Sequence, residues 1–454
     1  LKVAQFSQWI VFLALMPILD SWWSVALGTG FVVYGTCLWW RQRSYRWCPD
    51  ANRLGTLFKL LPFEQLSFLY VPGEDLSSIK SVTFFEGEPP VDAIRERLAS
   101  FVKANPWAAA RIVNTGSGPR FWVPEEVTPS DLRPLLVELE DSRVRSDVTM
   151  ETLESGLKAL ECKGLFCKEA YYCQDRDEPM LRVAIVRSGP SHFALATSMN
   201  HCIGDGHTYY KFHNALDIDP SGLKSIEPMI FEREPQAKEV AEQLLGRSKA
   251  QYVLSIIFFF GCQIMKRLRP PHQRSVWAVD EEWLRTQKQT LKGDMAFVSS
   301  NDVLTSWALG SSKFCEVGRM PVNMRSRVDL LTDKHVGNYE EIMVLQRGEY
   351  ENPSYIRRAV QGPHLGNPHG KPPGLVTSLR SHMSMVTNWS TFAKDVRLPH
   401  CKELMHLGTF GIGNDMLFGE AAVIFRLRPG TLGLMMWERG GQTSCIPQSW
   451  SRLF

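Results

Sequence analysis

A histidine and an aspartate lie four residues apart in the segment HCIGDG, residues 201–206. Imidazole is the side chain whose ordinary pKa is nearest neutrality, so a histidine such as His201 suits proton transfer to or from a reacting group. Asp205 and Gly206 would equally fit a turn followed by a helix cap, with no chemistry. The residues alone leave two interpretations open, a general base on a tight turn or an ordinary loop histidine.

The residues on either side of this segment have the periods of two different secondary structures. Residues 193–199 alternate between larger and smaller side chains, which is typical of a strand. Tyr209, Phe212 and Leu216 are then spaced to share one face of a helix. The sequence therefore predicts a strand, a tight turn and a helix, with His201 mounted where the strand ends.

The pattern H-x-x-x-D-G between a strand and a helix resembles the signature of the chloramphenicol-acetyltransferase-like superfamily. That superfamily includes the BAHD acyltransferases, the wax ester synthase/diacylglycerol acyltransferases and the condensation domains of peptide synthetases. Asn200 precedes His201, so the double-histidine form of several branches is absent and the pattern is closer to BAHD.

Further segments resemble BAHD and wax-synthase patterns in the family's order. They are LPFEQ at 61–65, ANPW at 104–107, SSND at 299–302, VNMRSR at 322–327, VGN at 336–338 and TNW at 387–389. The D-F-G-W-G motif of the BAHD C-terminal region does not occur in the sequence. The resemblance therefore indicates a divergent branch.

The resemblance implies an α/β fold of two similar lobes, each a mixed sheet with flanking helices, and a central channel between them. On this basis we expect an N-terminal acyltransferase lobe over residues 57–225 that carries H-x-x-x-D-G. A crossover with an apolar segment would follow at 226–290, and a C-terminal acyltransferase lobe at 291–454.

The resemblance also implies roles for the residues of the H-x-x-x-D-G turn. His201 would act as the general base and deprotonate the acceptor directly, without a covalent acyl-enzyme. The Asp205 carboxylate would point away from the substrate and pair with Arg325, with Arg327 in reserve, and so fix the turn. Gly206 would let substrate or backbone approach closely.

The remaining site residues implied by the resemblance stabilise the tetrahedral oxyanion. Thr387 and the indole N–H of Trp389 are the expected donors. The acyl donor would be acyl-CoA, a co-substrate, and we expect no bound cofactor and no metal. The sequence contains no G-x-S-x-G serine elbow, which argues against a hydrolase of the α/β type.

Composition excludes some other classes of function. The net charge of +3 is too small to indicate nucleic-acid binding. The ten cysteines form no C-x-x-C pair, so we expect buried thiols and no zinc site. We also expect a monomer.

The beginning of the sequence predicts a membrane anchor at residues 1–47, a single helix or a hairpin. Residues 21–40 are apolar with tryptophans at both ends, and about 20 helical residues span the ~30 Å hydrocarbon core. Three arginines follow this segment: Arg41, Arg43 and Arg46. By the positive-inside rule we expect the catalytic lobes in the cytosol, at an endoplasmic-reticulum-like membrane. A second apolar run, residues 252–265, fits either a core element or a segment at the membrane face.

The anchor and the second apolar run predict a hydrophobic acceptor, such as a long-chain alcohol, a diacylglycerol or a sterol-like alcohol. Two alternatives remain. One is acylation of a specialised-metabolite alcohol or amine, in the manner of BAHD or condensation enzymes. The other is a non-catalytic membrane protein with a relic site, which is disfavoured because all five candidate residues occur together: His201, Asp205, Gly206, Arg325 and Trp389.

Overall fold

The computed structural model describes most of the two predicted lobes. The described residues are 53–61, 64, 78–218, 225–233, 273–293, 295–312, 315–327, 331–361, 384–409, 420–438 and 445–454. The membrane anchor predicted at residues 1–47 and the apolar run at 252–265 lie outside these residues. None of the helices within the described ranges is long and apolar enough to cross a bilayer.

Strands make up three sheets in the described part of the chain. In chain order the strands are β1 (Gly55–Lys59), β2 (Ser78–Glu86), β3 (Arg111–Thr115), β4 (Gly118–Pro124), β5 (Leu136–Glu140), β6 (Leu181–Gly189), β7 (His192–Asn200), β8 (Gln273–Ala278), β9 (Val317–Asn323), β10 (Glu340–Gln346), β11 (Ser384–Asn388), β12 (Lys402–Thr409), β13 (Glu420–Arg428), β14 (Thr431–Glu438) and β15 (Ser451–Arg452). The sheets have the orders β1-β4-β3, β12-β2-β7-β6-β5 and β10-β9-β11-β13-β14-β8-β15.

Helices cover these sheets, so the α/β class predicted from the sequence is confirmed. The longer helices are Val91–Ala104, Met150–Glu161, Gly206–Asn214, Glu281–Thr290, Ser300–Ser311 and Pro353–Gln361. Shorter helical turns lie at Pro106–Ala109, Pro129–Leu132, Arg133–Leu135, Ala170–Cys173 and Arg347–Tyr350.

Strand β7, which leads to His201, lies in the middle of the five-stranded sheet and pairs antiparallel with β2 and β6. The predicted alternation of its side chains is present, but both faces are buried. On one face the Thr197 hydroxyl contacts Tyr209 and His213 of the helix Gly206–Asn214. On the other face Ser198 accepts a hydrogen bond from the backbone N–H of Cys167. The strand therefore forms a rigid base for the turn that follows it.

Two strands belong to a different sheet from the one expected from the predicted division of the chain into lobes. Strand β12 comes from the predicted C-terminal lobe, yet it pairs with β2 at the edge of the five-stranded sheet. Strand β8 comes from the predicted crossover and lies in the seven-stranded sheet. The ring of His406 on β12 hydrogen-bonds to Thr83 at 2.8 Å and to Tyr210 at 3.0 Å. These buried polar contacts attach β12 to the sheet and to the helix behind His201.

Among the described residues the hydrophobic core has two parts, one on each face of the seven-stranded sheet. Val423 and Phe425 of β13 project from one face into the cluster that also fills the N-terminal lobe. Ile424, between them, projects from the opposite face into a second cluster, which includes Leu304 of the helix Ser300–Ser311. One face of this sheet is therefore directed toward the lobe that carries His201.

We expect the free energy of unfolding to fall as the pH falls from about 6.5 to about 4. In the unfolded chain His406 takes up a proton at its ordinary pKa of 6.5, whereas burial lowers the pKa of His406 in the folded chain to about 4. Protons therefore favour the unfolded state in this window. Urea denaturation at pH 7 and at pH 4.5 measures the free energy of unfolding at each pH. Between these two pH values the free energy of unfolding of His406→Gln should fall by about 2 kcal/mol less than that of the wild type. An equal loss in both proteins would contradict the prediction.

Candidate active site

His201 is the first residue after β7 and begins the turn that enters the helix Gly206–Asn214. Its neighbours Asn200 and Cys202 are fully buried, whereas His201 itself is partly exposed. Its backbone carbonyl accepts a hydrogen bond from Asn338 Nδ2 at 2.7 Å. The backbone of His201 is thus held by the C-terminal half of the chain, and the residue is partly buried, with its Nδ1 atom shielded from solvent.

The ion pair predicted between Asp205 and Arg325 is present. Arg325 Nη1 donates to Asp205 Oδ2 at 2.7 Å, and both side chains are almost completely buried. Oδ2 also accepts from the backbone N–H of Tyr339, and Oδ1 accepts from that of Thr208 as the helix cap. Burial alone would raise the pKa of Asp205, but Arg325 and His207 and the hydrogen bonds lower it to about 2. Asp205 is therefore an ionised structural group with both oxygens engaged.

Arg325 fixes more of the turn than its carboxylate partner. Its Nη2 donates to the carbonyl of Gly337 at 2.8 Å and to the hydroxyl of Thr208 at 3.1 Å, and its Nε donates to the carbonyl of His335. Arg327, the reserve candidate, donates instead to the carbonyl of Val360. The partner of Asp205 is therefore Arg325, the arginine of V-N-x-R, and not Arg327.

A second buried ion pair supports the same turn, and the sequence analysis missed it. Arg233 Nη1 donates to the Glu64 carboxylate, and its Nη2 donates to the carbonyl of Ile203 at 3.0 Å. Glu64 also accepts from the side-chain amide of Asn338. Glu64 lies in the LPFEQ segment that carried part of the resemblance. Arg233 has no motif of its own, so sequence spacing could not have found the pair.

Of the two predicted oxyanion donors, Trp389 lies directly against the turn. A Cβ added at Gly206 would be 3.1 Å from Trp389 Nε1, so any larger residue here would push the indole away by a few tenths of an ångström. Thr387 pairs with Val423 and therefore shares the sheet face that is directed toward the N-terminal lobe. In the described part of the chain, Thr387 makes no hydrogen bond to residues 201–206.

A cavity of about 500 Å³ lies at the opposite end of the helix Gly206–Asn214 from His201, next to Lys211 and Asn214. Its lining contains five lysines or arginines and four carboxylates, so its charge is nearly balanced and does not by itself indicate a phosphate site. The described residues contain no group of three or more histidine, cysteine, aspartate or glutamate side chains that could hold a metal ion.

Solved structures share this fold at low sequence identity. F. graminearum TRI101 in complex with coenzyme A and T-2 mycotoxin is 12% identical, with a TM-score of 0.55, over 88% of this chain and 100% of that one. The first condensation domain of the CDA synthetase is 10% identical, with a TM-score of 0.55, over 85% and 92%. The starter condensation domain of rhizomide synthetase RzmA, a mutant in complex with C8-CoA and Leu-SNAC, is 12% identical, with a TM-score of 0.53, over 86% and 90%.

No family model and no curated protein matches the sequence. The structural similarities show that this chain has the fold implied by the H-x-x-x-D-G resemblance.

Asp205→Asn should lower the free energy of unfolding by about 3–5 kcal/mol, because it leaves the Arg325 guanidinium buried without a carboxylate. Urea denaturation followed by circular dichroism measures the change. Asp147→Asn is the matched control, since it breaks an exposed pair with Arg145 and should have little effect. Equal effects of the two substitutions would show that the buried pair does not stabilise the fold.

Proposed function

We propose that this chain is an acyl-CoA-dependent O-acyltransferase in which His201 is the general base. The observation that carries the proposal is the mounting of His201. His201, a partly exposed residue, lies at the end of a buried strand, on a turn held by the pairs Asp205–Arg325 and Glu64–Arg233. A base that is already fixed in place can meet a bound acceptor with little further loss of conformational entropy.

In the proposed reaction the acceptor hydroxyl attacks the thioester carbonyl while its proton moves to His201. A carbon–oxygen bond forms and a tetrahedral oxyanion develops. Thr387 and the indole N–H of Trp389 would donate to that oxyanion, each contributing about 2.7–4 kcal/mol to the lowering of the barrier. The carbon–sulfur bond then breaks, and the imidazolium returns its proton to the departing coenzyme A thiolate.

Two structures with this fold support acyl-CoA as the donor, because TRI101 was solved with coenzyme A and the RzmA domain with C8-CoA. The reaction needs no bound cofactor, since the thioester itself supplies the activated acyl group.

Asn200 supports ester formation over the double-histidine chemistry of condensation domains. This residue stands where those domains usually have their first histidine, and here it is fully buried. Its Nδ2 donates to the carbonyl of Lys168 at 2.9 Å, and its Oδ1 accepts from the backbone N–H of Cys202 at 3.1 Å. Asn200 thus serves the turn, and His201 acts as the single base.

For the acceptor we propose a hydrophobic alcohol, drawn from a bilayer by a monomeric, membrane-anchored enzyme with cytosolic lobes. The support is the composition of residues 1–47 and 252–265. An anchor raises the local concentration of a lipid acceptor without any new contact. The rival is a specialised-metabolite alcohol, which the TRI101 complexes with T-2 mycotoxin and deoxynivalenol favour.

His201→Ala should lower the rate of acyl transfer by about 10²–10⁴-fold, because it removes the general base, and should change the melting temperature little. Thiol release from acyl-CoA by the purified full chain measures the rate. His192→Ala is the matched control, since His192 begins the same strand at its far end. Near-normal turnover by His201→Ala would refute the mechanism.

Long-chain alcohols and diacylglycerols should be acylated faster than small water-soluble alcohols when both are presented at equal concentration in detergent or vesicles. The physical reason is the proposed delivery of the acceptor from the bilayer. Mass spectrometry of the products measures the preference. Efficient acylation of small alcohols, with none of the lipid ones, would reject the lipid assignment and leave the general reaction intact.

A further inference from the structure

Glu340 is a partly buried carboxylic acid that the proposed mechanism does not yet use. It is the first residue of β10, the edge strand of the seven-stranded sheet, and pairs with Asn323. Alternate residues of β10 are buried, and two of them, Met343 and Leu345, belong to the core of the C-terminal lobe. Glu340 therefore projects from the opposite face of the sheet.

That opposite face is the one directed toward the N-terminal lobe. The register of the sheet places Asn323 and Arg319 of β9 on the same face as Glu340, and Arg319 pairs with Met385 of β11. Two residues further along β11 comes Thr387, the predicted oxyanion donor. Glu340 and Thr387 thus share one face.

The residues just before Glu340 run along the His201 turn. The Asn338 side chain donates to the carbonyl of His201 at 2.7 Å, and the backbone N–H of Tyr339 donates to Asp205 at 3.0 Å. The chain then enters β10 at Glu340, so this residue directly follows the one that contacts Asp205.

The charged groups that face Glu340 come from both lobes. Burial raises the pKa of Glu340 to about 7, while His201 and Arg325 lower it and Asp205 raises it. Asp205 and Arg325 are paired with each other. His201 is therefore the one group among these three whose charge changes in the proposed reaction. Among the described residues, no hydrogen bond or ion pair occupies the Glu340 carboxyl.

We propose that the Glu340 carboxylate stabilises the imidazolium that forms on His201 during acyl transfer. This inference rests on the proposed function. Asp205 does not fill the role, because both of its oxygens are committed to Arg325 and to backbone N–H groups. A carboxylate close to an imidazole in a partly buried site favours the protonated form of the imidazole by Coulomb attraction.

Glu340 takes no proton from the substrate in this scheme. The acceptor proton moves to His201 and then to the coenzyme A thiolate, and Glu340 acts only through the imidazole. Its protonation would remove the negative charge and slow the reaction.

The test is the pH dependence of kcat/KM. In the wild type, protonation of His201 stops the reaction and protonation of Glu340 slows it about 10- to 100-fold, so log kcat/KM should fall with a slope approaching two over the first one to two pH units of acidification. In Glu340→Gln the slope should be one, and kcat at pH 8 should fall about 10- to 100-fold, since one pKa unit of lost stabilisation corresponds to a factor of ten. Glu340→Asp should restore part of the rate and the steeper slope.

Glu403→Gln is a matched control. Burial raises the pKa of Glu403 to about 7 as well. Glu403 pairs with Phe85, and Phe85 pairs with Phe193. Phe193 lies at the opposite end of β7 from His201, and at about 3.3 Å per residue the two are roughly 25 Å apart along the strand. Glu403→Gln should keep the slope of two. A slope of one in this control as well would trace the effect to the fold and overturn the inference.

A second measurement does not depend on turnover. In the full chain labelled with ¹³C-carboxyl glutamate, the Glu340 signal is assigned by its loss in Glu340→Gln and should titrate near pH 7. In His201→Gln its midpoint should rise, because the nearby imidazole no longer lowers the pKa of Glu340. An unchanged midpoint would show that the two groups do not interact.

The outcomes separate the inference from the proposed function. A wild-type chain without turnover would overturn the proposed function, and this inference with it. Turnover in the wild type, with an unchanged slope and rate in Glu340→Gln, would overturn only the role of Glu340.

Discussion

The buried contact between the Asp205 carboxylate and the Arg325 guanidinium is the interaction on which the site depends. It joins a turn of the N-terminal lobe to a segment of the C-terminal lobe. If the pair separated, each charge would be left buried without its partner, which carries a large desolvation cost. The same arginine binds the carbonyls of His335 and Gly337. Any displacement of one lobe against the other would therefore break several charge-assisted bonds together, and the turn that carries His201 stays in one place.

The pair Glu64–Arg233 extends this constraint to the other side of the turn. Its guanidinium lies over the rings of Phe121 and Phe231, so the charge is enclosed by aromatic faces as well as by its carboxylate. Buried ion pairs contribute little to net stability compared with apolar side chains of the same size. Here the two ion pairs fix the orientation of the turn that carries His201, which hydrophobic packing alone would define less well.

The sequence predicted the parts of this architecture that have local patterns. The alternation before His201 and the helical spacing after it came from periodicity, and the Arg325 partner came from a resemblance in V-N-x-R. Arg233 and Glu340 had no such signal, since each meets the turn through the tertiary fold and no spacing rule links them to it. The edge position of β12 was missed for a similar reason: a strand pattern indicates a strand but not which sheet accepts it.

The insertion of β12 into the five-stranded sheet has a consequence for how the chain acquires its structure. Glu86 of β2 pairs with Lys402, so one edge of the first lobe remains open until residues far along the chain have been made. Such distant pairing gives a high contact order and slow folding. During synthesis the open backbone of β2 is a template for pairing with other chains. We therefore expect the nascent first lobe to expose this edge until β12 has been made and to complete its sheet together with the second lobe rather than before it.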